Sequence, residues 1–152
     1  MLTVDTPHDL KAHVGRELEP SDWVTVDQAM IDKFADATGD HQWIHVDTAR
    51  AKREMPGGTT IAHGYLTLAL LPRMITQSFD VRNRGRSINY GSNKVRFTAP
   101  VPAGSRVRLR MTFRAVEDVA DGGVRIVSDC LMELEGADRP ALVAEVISVA
   151  YP

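Results

Sequence analysis

Hydrophobic spacing changes period midway along the chain. In the second half Val107, Leu109, Met111, Phe113 and Ala115 alternate with Arg106, Arg108, Arg110, Thr112 and Arg114. Alternation of period two predicts a long strand with one wet face. Asp121-Gly122-Gly123 predicts a turn. Val124, Ile126, Ser128, Cys130, Met132 and Leu134 then line one face of a second strand, and residues 136–140 turn again. Residues 141–151 predict a third strand. Val143, Ile147 and Val149 lie on one of its faces, and Leu142, Ala144, Val146 and Ala150 on the other, so it is expected to be central in a sheet.

The first half has helical spacing. Residues 23–26 read as a short strand, after which Thr25 and Gln28 fit a capping box. Met30, Phe34 and Ala37 share one face of the helix that follows, and Gly39 stands where a left-handed cap would end it. Asp47 is placed to cap a further short helix over residues 48–53, which Pro56-Gly57-Gly58 breaks. Residues 62–79 are apolar nearly all round, the mark of a buried helix, and Pro72 should kink or split it. Arg82, Arg84 and Arg86 around Gly85 predict an exposed turn, with a strand over residues 93–97 beyond it. The pattern is α+β, and its simplest packing wraps an antiparallel sheet around the buried helix. Such a sheet has open edges that a homodimer can pair.

Composition narrows this picture without redirecting it. A chain of 152 residues suits one domain, residues 1–152, and buries roughly 70% of its unfolded surface. The net charge of −2 gives no reason to expect nucleic acid or an anionic membrane as partner. The apolar run over residues 65–71 is too short to span a bilayer, and the N-terminal residues lack the pattern of a signal peptide. Cys130 is the single cysteine, so no internal disulfide forms and a reducing cytoplasm is the expected compartment. Its place in an alternating apolar segment makes it a core residue.

Candidate chemistry concentrates in Gly39-Asp40-His41-Gln42-Trp43-Ile44-His45 and in Ile61-Ala62-His63-Gly64. On a continuous helix Asp40 and His45 would lie about 140° apart. The Gly39 stop lets the chain curl, so the carboxylate and the imidazole can face one cavity, where burial would favour acid/base work. His63-Gly64 begins the next helix, where free backbone N–H groups bind developing oxyanions, and Gly64 has no side chain to block a carbonyl. A metal site is the first rival, since His41 and His45 are four apart with Asp40, Asp47 and His63 nearby. No HExxH is present, and the Gly39 stop opposes a helix presenting both histidines.

Together the motifs resemble a known family. Phe34-Ala35-Asp36-Ala37-Thr38-Gly39-Asp40 with His45-Val46-Asp47, then Ile61-Ala62-His63-Gly64, then Tyr90-Gly91 with Val95-Arg96-Phe97 and Pro100-Val101, are similar to the MaoC-like (R)-specific enoyl-CoA hydratases, in the single-domain branch of nodulation-protein-N-like chains. The resemblance spans residues 18–151. It implies a hotdog fold, with a long helix wrapped by an antiparallel sheet and paired into a homodimer. It implies reversible syn addition of water to a trans-2-enoyl-CoA, giving a (3R)-3-hydroxyacyl-CoA. Asp40 and His45 would be the catalytic pair and Gly64 the oxyanion donor, with no cofactor, coenzyme A being part of the substrate. Acyl carrier protein is an alternative carrier.

The chain departs from the family at Trp43, which replaces the proline of an Asn-Pro pair that many members carry. By analogy His63, Asn89, Tyr90 and Gly91 line the thioester site. Lys94 and Arg96, with Arg82, Arg84 and Arg86, are candidates for the phosphates of coenzyme A. Two other readings share the fold: a thioesterase, in which water attacks the carbonyl, and a non-catalytic acyl-thioester-binding module.

Overall fold

In the computed structural model, which describes residues 1–152, the elements follow the change of period. Strand β1 (Leu2–Val4) and a 3-10 turn (Pro7–His13) lead to β2 (Val24–Val26). Five helices follow: α1 (Gln28–Thr38), α2 (Trp43–Val46), α3 (Thr48–Glu54), α4 (Gly64–Ala69) and α5 (Leu71–Ser78). The chain then runs through β3 (Phe79–Val81), β4 (Arg86–Phe97), β5 (Ser105–Asp118), β6 (Val124–Leu134) and β7 (Leu142–Tyr151). Five strands form an antiparallel sheet in the order β2-β5-β6-β7-β4, while β1 and β3 pair in parallel apart from it.

The inner face of β5 is the one predicted: Val107, Leu109, Met111 and Phe113 are buried. A bulge after Phe113 then shifts the phase, so that Val116 faces inward in place of Ala115. The outer face carries arginines against cross-strand acids: Arg106 on Glu135, Arg108 on Glu133, and Arg114 on Asp129 and Glu145. Leu66, Leu70, Leu71 and Met74 of α4 and α5 join the inner face in one core, where each buried side chain contributes about 1.5–3 kcal/mol.

Several expectations are corrected. The segment 62–79 is two helices meeting at Leu70, with Pro72 in the first turn of α5, where its missing N–H costs nothing. It is not buried all round: Tyr65, Ala69, Pro72 and Thr76 are exposed, and Tyr65, 71% exposed, sets its ring edge-on to Phe97 of β4. Asp27, not Thr25, caps α1, its carboxylate accepting from the Met30 N–H at 2.8 Å, because Thr25 is already paired with Arg106 in the sheet. The buried face of α1 is centred on Ile31 and Ala35, which leaves Ala37 exposed. Asn89-Tyr90-Gly91 lie inside β4 and not in a turn before it. β4 is an edge strand of 12 residues, nearly all exposed, with irregular register around Tyr90 and around Lys94, whose φ is +52°.

Candidate active site

Gly39 ends α1 as its position predicts. At φ +79° its N–H donates to the Ala35 carbonyl at 2.8 Å, and the chain turns into α2, which carries His45. Asp47 then caps α3, accepting from the Arg50 N–H at 2.9 Å.

His45 is sealed in, with 7% of its surface exposed. Its Nδ1 lies 2.7 Å from the Ile61 carbonyl oxygen. A carbonyl only accepts, so Nδ1 carries the proton and Nε2 is left with a lone pair. The backbone on both sides is stitched down. Gln28 donates from Nε2 to the His45 carbonyl at 2.7 Å and accepts from the Thr60 hydroxyl at 2.5 Å, while the Ile61 N–H donates to the Ile44 carbonyl at 3.0 Å.

Asp40 is held differently. It is exposed, contrary to the burial expected of it, because all four residues of the loop 39–42 lie at the surface. Its contacts are long: the Gln42 N–H donates to Oδ1 at 3.4 Å, and its own N–H donates to the Thr38 hydroxyl at 3.4 Å. The side chains nevertheless converge, with one polar atom each of Asp40, His45 and His63 within 4.8 Å of the others. One water molecule can bridge groups at such a separation.

A cavity of about 280 Å³ adjoins His45, which lines it with Gly64, Thr67, Phe97, Pro100 and Ala141 among others; Asp40 stands outside this lining. Gly64 opens α4, and no backbone carbonyl accepts its N–H. A Cβ there would meet the Phe97 ring at 2.9 Å, so the glycine is what lets the aromatic wall approach the free N–H. α4 has only six residues, so this single N–H, and not a helix dipole, is what it offers an oxyanion.

Other candidates lie elsewhere. His63 is 2% exposed and is not among the residues that line this cavity. Asn89, Tyr90 and Gly91 line a second, largely apolar cavity of about 330 Å³, with Leu68, Ile75 and Phe79. Lys94 faces the outer side of the sheet near Glu145 and Arg114, and exposed Arg96 donates to the adjacent Val95 carbonyl. Arg82 pairs with Asp5 at 2.9 Å. Within the chain none of these cations reaches the His45 cavity. Two participants escaped the sequence reading: Gln28, read only as part of a cap, and Phe97, quoted in a motif but given no role. Their partners are 17 and 33 residues distant in the sequence, and no local pattern signals them.

With this geometry in place, residues 9–131 match the MaoC like domain family. The chain belongs to the MaoC-like dehydratase family. It is 52% identical over 147 residues to the 3-hydroxyacyl-thioester dehydratase Z of Mycobacterium tuberculosis, covering 97% of each chain. It is 44% identical over 142 residues to nodulation protein N of Rhizobium leguminosarum bv. viciae, covering 93% of this chain and 88% of that one. The solved R-hydratase PhaJ1 from Pseudomonas aeruginosa, unliganded, superposes with a TM-score of 0.66 at 21% identity, over 91% of this chain and 86% of that one. The fold is the hotdog of MaoC-like dehydratases, and the protein is an enzyme of the hydro-lyase class. No helix is long and apolar enough to cross a membrane.

Three further side-chain environments in this MaoC-like chain bear on its chemistry. Asp40, His45 and His63 form a close cluster: each imidazole gives one ring N–H to a backbone carbonyl, the two rings stack at 3.8 Å and 24°, and one polar atom of each residue lies within 4.8 Å of the others. Trp43 is half-buried and absent from both cavities. The Arg50 guanidinium lies 4.0 Å from its ring centroid and donates to Glu54 at 2.9 Å, so Trp43 packs α2 against α3. Cys130 is buried. Burial, with a smaller contribution from the Asp129 charge, pushes its thiol up to about 12, which leaves it no nucleophilic role.

Proposed function

We propose that the enzyme hydrates trans-2-enoyl thioesters to (3R)-3-hydroxyacyl thioesters, and catalyses the reverse dehydration. The observation that carries this reading is the convergence of the Asp40 carboxylate and the His45 imidazole within 4.8 Å, beside the free N–H of Gly64. A water held between the two side chains attacks C3. Its oxygen bonds C3, the carbon–carbon π bond opens toward C2, and negative charge gathers on the thioester oxygen, where the Gly64 N–H donates. The pair takes the water proton and returns one to C2 on the same face, and water, thioester and side chains balance the step without a cofactor.

Coenzyme A is the carrier this reading favours, with acyl carrier protein the alternative. The second cavity gives the acyl chain its room. At about 330 Å³ it lies at the small end of the ligand-pocket range of about 300–1,000 Å³, and it starts at Leu68, one helical turn beyond Gly64. The expected partner is a second copy of the chain. β4 offers an unpaired edge of 12 residues on which Ile88, Tyr90 and Phe97 are 50%, 70% and 46% exposed, and Phe97 also walls the cavity. Nothing in the net charge of −2 favours nucleic acid.

Incubation with crotonyl-CoA and longer trans-2-enoyl-CoA substrates tests the reaction. Loss of the conjugated-enoyl absorbance, with product oxidised by a (3R)-specific dehydrogenase, is expected. Release of free thiol would instead mean hydrolysis, and absence of both reactions on either carrier would leave only a binding module. Light scattering should give twice the 16.8 kDa chain mass. A monomer, or a folded state found only with a different chain, would overturn the homodimer.

A further inference from the structure

His63 contacts both members of the proposed pair through its side chain, yet it does not line the cavity beside His45. Its Nε2 lies 2.9 Å from the Asp40 backbone carbonyl, which makes that nitrogen the donor. Its ring stacks on His45 with centroids 3.8 Å apart, and Phe34 of α1 packs against it at 4.9 Å with a tilt of 56°. Its Nδ1 is buried without any hydrogen-bond partner. A residue kept only for packing would be replaced by an apolar ring at no such cost, since an unpaired buried acceptor is unfavourable. An imidazole supplies two things at once in the space of a small ring: a flat face for His45 and an edge N–H for Asp40. Phenylalanine lacks the donor, and an amide lacks the face.

We propose that His63 is a positioning residue that holds the Asp40 loop and the His45 ring in one fixed relation. The proposal rests on the hydratase reading of the site. Asp40 needs such a hold, because its other local hydrogen bonds are both 3.4 Å long and its loop is exposed. His45 gains a rigid face that fixes the plane of its ring, while the Ile61 carbonyl fixes which nitrogen carries the proton. Residues 61–63 thus address both arms: Ile61 sets the tautomer of His45, and His63 sets its distance from Asp40. His63 neither donates nor accepts a proton in the reaction.

Two substitutions separate its two contacts. His63→Phe keeps a ring against His45 and loses the donor, whereas His63→Gln keeps a donor for Asp40 and loses the ring. Each should lower kcat by between about tenfold and a hundredfold, the loss expected of a misplacement of about 1 Å, with KM changed by less than about twofold. Imidazole nitrogen-15 spectra give a readout independent of turnover. In the unsubstituted enzyme His63 should be protonated on Nε2 only and His45 on Nδ1 only. His63→Gln should broaden or shift the His45 signals, and His63→Phe should leave them nearly unchanged.

A doubly protonated or Nδ1-protonated His63 in the unsubstituted enzyme would overturn the proposal without any variant having to fold. So would folded variants that both keep full kcat and unchanged His45 signals, and in that case an inactive Asp40→Asn enzyme would leave the hydratase reading standing. If the unsubstituted enzyme hydrates no enoyl thioester, that reading fails, and the nitrogen spectra still decide whether His63 orders His45.

Discussion

Asp40 and His45 are five residues apart and meet at one place, but they reach it from opposite environments. The loop 39–42 around Asp40 is exposed, and the bonds made by the Asp40 carboxylate and its N–H are both 3.4 Å long. Directly after the loop, α2 places His45 under a net of short ones through Ile61, Gln28 and Thr60. The difference separates two requirements that are often run together. The imidazole needs a fixed tautomer, which demands burial and a dedicated acceptor. The carboxylate needs access to solvent and to an arriving substrate, and in a single chain it is left open on one side. In the proposed homodimer a second copy laid along β4 would cover Phe97, which walls the cavity beside His45.

The largest expected effect should be the same for both arms, and only stability should tell them apart. Asp40→Asn and His45→Gln should each reduce kcat by about 10²–10⁴-fold, the range for general acid–base catalysis. Thermal melts should then diverge. Asp40→Asn should melt with the parent. His45→Gln strips a buried carbonyl of its donor, at a cost of about 1–3 kcal/mol, and should lower Tm by several degrees. Equal melting temperatures would erase the distinction between an open arm and a sealed one.

Gln28→Leu probes the sealed arm without touching the chemistry. It leaves the His45 carbonyl and the buried Thr60 hydroxyl unpaired, so a loss of about 1–3 kcal/mol is expected by urea denaturation, with a smaller fall in kcat than for His45→Gln. Trp43→Ala should do less still. It removes one cation–π contact, worth about 0.5–1 kcal/mol at such a site, and kcat should stay within about threefold of the parent, since the indole borders neither cavity. A large rise in KM would place Trp43 against substrate after all.

The smallest effect belongs to the open arm and depends on pH. The Asp36 carboxylate, 2.9 Å from His41, holds that imidazole above its ordinary value of 6.5 by hydrogen bonding. A raised value means that folding binds a proton, so the pair stabilises fully below about 6.5 and the effect is lost as pH rises through the raised value. His41→Gln should therefore match the parent in Tm at pH 8 and fall slightly below it at pH 5.5. The reverse order would show that the bond does not secure the loop.

What could be read from the sequence followed from how local the cause was. Gly39 and Asp47 act within four residues of themselves, and both ends appear where their chemistry requires. The alternation of β5 and β6 was legible because one face of each strand is wet. β4 was not: an edge strand exposed along most of its length has no alternation to read, and its first seven residues resemble a turn. The three-residue strands β1 and β3 are too short for any period to register. At the site the His63-Gly64 dipeptide marked the position, but the stack on His45 and the bond to the Asp40 carbonyl join segments 18 and 23 residues apart, which only the fold brings together.

Ile61 is stitched twice: its N–H is tied to Ile44 and its carbonyl to the His45 ring, and it also forms an isolated bridge with Pro102, just before β5. The chain between His45 and Ile61 therefore leaves and returns to one anchored point, carrying α3 and the Pro56-Gly57-Gly58 turn as an excursion. The entropy of closing such an excursion grows only slowly with its length. Residues added to or removed from its tip would accordingly cost little and leave the imidazole anchored, so a change in the length of this segment is separable from the chemistry.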